Sequence, residues 1–83
     1  MRYTVVHSND PYLLARLATD LQMEGYESRS EYQHWTSPFN EDYEWLSIST
    51  TTNFHNHSCI TPDARHELTS RNYIKVLTQI LEP

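Results

Sequence analysis

One glycine, Gly25, serves the whole 83-residue chain. A backbone that needs left-handed or very close geometry has one residue suited to it. This excludes the Gly-rich phosphate loops and, at this length, a dinucleotide-binding fold. It also marks where a helix ends. Asp10 is a good N-cap, and Pro11 fits the first helical position, where a missing N–H costs nothing. Leu13, Leu14, Leu17, Ala18 and Leu21 then keep helical spacing on one stripe, predicting a helix to about Glu24. Gly25 follows as the left-handed residue that closes it.

The flanking segments alternate between strand and turn signals. Residues 2–7, with Tyr3, Val5 and Val6, predict a strand that stops at Ser8-Asn9-Asp10. Residues 26–35 predict a second strand, polar on both faces and so suited to an edge. Thr36 to Asp42 has turn chemistry throughout, residues 43–51 predict the return strand, and 54–60 a further extended segment. Thr61-Pro62-Asp63 reads as a helix start. Ala64 and Leu68 fall opposite Tyr73, Ile74, Leu77, Ile80 and Leu81 on an ideal helix. A short first turn, a break near Thr69-Ser70 and a second helix to about Leu81 are therefore expected. The expected architecture is α+β, in one domain over residues 1–83. A small antiparallel sheet of three or four strands has one long helix packed across it and a C-terminal helix, in the order β-α-β-β-(β)-α.

Tyr3-Thr4-Val5-Val6, the polar turn, the Leu-spaced helix and Glu24-Gly25-Tyr26-Glu27 together resemble a group of small strand–helix–strand–strand domains of bacteria and phages. The likeness runs to about Ser49. It implies a sheet with one helix across it and brings no catalytic residue. Small size, acidity and aromatic richness are also similar in style to phage accessory proteins that inhibit host factors.

The bulk numbers narrow the function further. One cysteine excludes a disulfide framework and suits a reducing compartment, so the cytoplasm is the expected location. Neither a signal peptide nor a membrane span is expected, since apolar runs are short. Eleven acidic against six basic residues, a net charge of −5, argue against direct nucleic-acid binding. A chain of this length buries only roughly 60% of its unfolded surface, and ten aromatic residues partly make up for a small core.

The charge is not spread evenly. Asp20, Glu24, Glu27, Glu31, Glu41, Asp42 and Glu44 are opposed only by Arg29 between residues 20 and 44, which gives −7 + 1 = −6. The rest of the chain is nearly neutral. The same stretch holds Tyr32, Trp35, Phe39, Tyr43 and Trp45. Trp45, followed by Leu46 and Ile48, is the best core candidate of these. Aromatics ringed by charge are the material of protein-binding hot spots, and a one-signed field steers a partner of opposite charge. The expected function is therefore a non-enzymatic protein-binding module, an inhibitor or adaptor of the anti-host type in the phage reading. It would take a protein with a basic surface through Glu31, Tyr32, Trp35, Phe39, Glu41, Asp42, Tyr43 and Glu44. Imitation of DNA phosphates is one alternative.

A metal-binding module is the other. His55, His57 and Cys59 share one face if their segment is extended, and His66, placed early in the next helix, would be a fourth ligand. Two imidazoles and a thiolate suit zinc, although the spacing matches no standard motif. No cofactor is otherwise expected. Cys59 lacks the setting that makes a cysteine nucleophilic, and Glu41, Asp42 and Glu44 read as solvated rather than as an acid–base pair. Pairing of two copies across a two-fold axis is left open.

Overall fold

The computed structural model describes residues 2–28, 34–38, 44–50 and 63–82. The described chain forms β1 (Arg2–His7), α1 (Pro11–Met23), β2 (Glu27–Ser28), β3 (His34–Thr36), β4 (Glu44–Ser49), β5 (Ala64–Glu67) and α2 (Tyr73–Leu81). It is a small mixed α+β structure with a five-stranded sheet in the order β2-β3-β4-β1-β5.

The local signals around α1 act as the sequence predicts. The Asp10 carboxylate accepts from the Tyr12 N–H at 2.9 Å, and Pro11 opens the helix. At the other end Gly25 takes φ +94°, and two bonds close the turn. The Gly25 N–H donates to Gln22 O and the Tyr26 N–H to Leu21 O, each at 3.0 Å. This pair is the Schellman motif, and its usual apolar contact is supplied by Tyr26 and Leu21, both in the core.

The sheet corrects the expected antiparallel arrangement. β1 lies at its centre and runs parallel to both β4 and β5, with Val6 opposite Ile48 on one side and His66 on the other. Among the described strands the antiparallel pairs are β2 with β3 and β3 with β4. The expected single strand over 26–35 is two short strands. Glu27 pairs with Thr36 and Ser28 with Trp35, so the chain reverses between Ser28 and His34. The expected first helical turn after Pro62 is instead β5. Asp63 ties it down, donating its N–H to Tyr3 O at 2.8 Å and accepting from the Tyr3 N–H on Oδ2 at 2.9 Å. Leu68 N–H to His7 O, at 2.8 Å, fixes the other end. The break near Thr69-Ser70 is present and α2 begins at Tyr73.

Both helices cover the same face of the sheet. Val6, Trp35, Leu46 and Ile48 point to that face and meet Leu17 and Leu21 of α1, Tyr73, Val76 and Ile80 of α2, and Tyr26 and Leu68 beside them. The Tyr26 hydroxyl reaches Ile80 O, and the Tyr73 hydroxyl donates to Asp20, so the two helices are also tied to each other's surroundings. Tyr3 and Val5, of opposite parity on β1, are buried on the other face. No helix among the described residues is long and apolar enough to cross a membrane.

Candidate functional site

The acidic surface starts where α1 ends. Its last turn contains no basic residue, and Asp20 and Glu24 stand there instead. A helix C-terminus already carries about half a negative charge, so acids at this end oppose the local field, at up to ~1 kcal/mol each. Asp20 is half-buried and accepts from the Tyr73 hydroxyl. The Arg16 guanidinium lies 4.1 Å above the Tyr73 ring. Burial raises the Tyr73 pKa well above the ordinary tyrosine range. The bond to Asp20 and that carboxylate's charge add to the rise, and Arg16 partly opposes it. Asp20 is thereby absorbed into the joint between the helices.

Glu24 and Glu27 are not absorbed in this way. Both are exposed, and Glu27 sits in β2 at the outer edge of the sheet. In the sequence they precede the acidic residues from Glu31 to Glu44. Glu31, Tyr32, Phe39, Glu41, Asp42 and Tyr43 lie outside the described residues. Glu44 opens β4 and pairs with Arg2 along the backbone, and Trp45 follows it. The side chains of Glu44 and Trp45 also lie outside the described part.

Trp35 is a correction. It is 0% exposed and packs in the core beside Leu46. The antiparallel register puts its indole on the helix-covered face, so it supports the hairpin from beneath and offers no contact surface to a partner. The reversal between Ser28 and His34 made this hard to read, because an edge strand running straight from 26 to 35 has no such cover.

Of the metal candidates, His55, His57 and Cys59 lie outside the described residues. His66 belongs to β5 and not to a helix. It is half-buried on the face that Val6 shares, beneath the helices. No group of three or more potential metal ligands occurs among the described residues.

One polar cluster was not legible from spacing. On the face opposite the helices, Ser47 Oγ donates to the Tyr3 hydroxyl at 3.0 Å and lies 3.3 Å from His34 Nδ1. Three strands, β1, β3 and β4, bring these together through the pairing of His34 with Ser47. Ser47 is buried, and the cluster satisfies polar groups held under the sheet surface.

Against protein-family models, curated proteins and solved structures, the chain has no match.

Proposed function

We propose that this chain is a non-enzymatic protein-binding module, an inhibitor or adaptor, that docks a partner with a basic surface along its acidic edge. The proposed contact set is Glu24 and Glu27 together with Glu31, Tyr32, Phe39, Glu41, Asp42, Tyr43 and Glu44, the acidic and aromatic residues that follow them in the sequence. The observation that carries this reading is the placement of Glu24 and Glu27. One stands at a helix end whose field disfavours it, the other on an edge strand, and both are exposed. Exposed charge that opposes its local field and makes no ion pair among the described residues is what a docking surface looks like when read as energy. The phage-type anti-host role belongs to this proposal as its most specific form. Trp35 is left out of the contact set and acts as the hairpin's anchor.

The test is capture on immobilised chain, comparing wild type with a variant carrying Glu24→Gln, Glu27→Gln, Glu41→Gln, Asp42→Asn and Glu44→Gln. A partner retained by wild type, released by salt and lost on the variant supports the proposal. Retention that the five neutralisations leave unchanged overturns it.

A further inference from the structure

The outer face of α1 is less polar than a solvated helix requires. Among the described residues the exposed large hydrophobics are Tyr12 (85%), Met23 (80%) and Ile74 (64%). Tyr12 and Met23 stand near opposite ends of α1. Eleven residues at ~100° each return them to within ~20° of one another, ~16 Å apart along the axis. Ala15 and Thr19, both exposed, fall between them on the same line. The Thr19 hydroxyl donates to Ala15 O at 3.0 Å, so its polar group is satisfied inside α1 and its methyl remains for contact.

The row is large, small, small, large, and it reads nearly the same from either end. Laid antiparallel about a two-fold axis, two copies set Tyr12 of one against Met23 of the other, twice by symmetry. An aromatic ring against a thioether is a favourable contact. Ala15 and Thr19 at the crossing point let the helix axes come close. Charge sorts in the same sense. Arg16 lies in the first half of α1, which follows the Asp10 cap, and the last half carries Asp20 followed by the Glu24 cap, with no base. Antiparallel pairing sets each acidic end beside the positive end of the other copy's helix, whereas parallel pairing stacks the two acidic ends together.

We propose that this face of α1 is a homodimer interface, occupied by α1 of a second copy of this chain. Tyr12 and Met23, counted on both copies, offer on the order of 700 Å², below the size of a stable specific interface. The dimer is therefore weak and concentration-dependent. The apolar row of Tyr12, Ala15, Thr19 and Met23 is separate in sequence from residues 31–44 proposed for the basic partner, and the two surfaces meet at Glu24.

Sedimentation velocity of the full chain tests this, from about 5 to about 500 μM, a range that brackets micromolar association. The mass rises from 9.9 kDa toward twice that value. Tyr12→Lys, Met23→Lys and Thr19→Arg each weaken the dimer about ten-fold or more, as truncation at a small interface does. All three sites are exposed, so the far-UV circular dichroism of each variant matches wild type. A wild type that stays at monomer mass throughout, or a dimer that survives all three substitutions, overturns the proposal.

Discussion

Ser8 Oγ donates to the Leu68 carbonyl at 2.8 Å, joining positions sixty residues apart in the chain. The same oxygen accepts from the Asp10 N–H at 3.1 Å, and the Ser8 N–H donates to Ser49 O at 3.1 Å. One buried residue thus laces the carboxyl ends of three parallel strands and sets the start of α1. Ser8→Ala leaves the Leu68 carbonyl and the Asp10 N–H without this partner, at a cost of about 1–3 kcal/mol. Urea unfolding measures it, and a loss below about 0.5 kcal/mol is too small for a joint of this kind.

Gly25 makes a second stability prediction. Its φ of +94° is strained for any side chain, and an added Cβ would stand 3.3 Å from Pro38 Cγ. Gly25→Ala therefore costs more than the ~1 kcal/mol of a simple left-handed position. Equal stability of the two proteins in urea would show that the turn relaxes freely.

Trp35 separates fold from function. Trp35→Ala empties a fully buried site and costs about 3–5 kcal/mol, a large part of the ~5–15 kcal/mol available to a small domain. Loss of binding in that variant reports unfolding, which calorimetry reveals as a lowered Tm. Phe39→Ala is the substitution that tests contact. It should weaken partner binding while the unfolding midpoint stays close to wild type.

Tyr73 gives a pH prediction. Its folded-state pKa lies above the unfolded value of about 10, chiefly through burial and then through Asp20. The resulting stabilisation is complete below pH ~10 and is lost as pH rises through the folded pKa, because the unfolded chain releases the proton first. Ultraviolet titration of wild type minus Tyr73→Phe should show no phenolate step near pH 10 while the fold persists. A step there would contradict the buried, Asp20-bonded hydroxyl.

What the sequence disclosed follows from how local each signal is. α1 was legible because Asp10, Pro11, the leucine stripe and Gly25 all act within a few residues of themselves. β5 was not, because Pro62-Asp63 followed by Ala64 and Leu68 has helix-start chemistry. Two hydrogen bonds between Asp63 and Tyr3, sixty residues away, decide in favour of a strand. Strand direction was hidden for the same reason, since periodicity states which residues share a face but not which strand lies alongside. The Trp35 position depended on the reversal between Ser28 and His34, in a stretch without glycine or proline. Of the candidate contact set, the charge asymmetry was fully legible and the depth of its aromatics was not.

The acidic edge is proposed to steer a basic protein. The direct measurement is the association rate of the captured partner with the chain as sodium chloride is raised from low to about 0.5 M, where the screening length is ~4 Å. For wild type the rate should fall by about ten-fold or more. The five-site neutralised variant should start slow and vary little, with dissociation nearly unchanged. An association rate indifferent to salt, or equal in the two proteins, would contradict it.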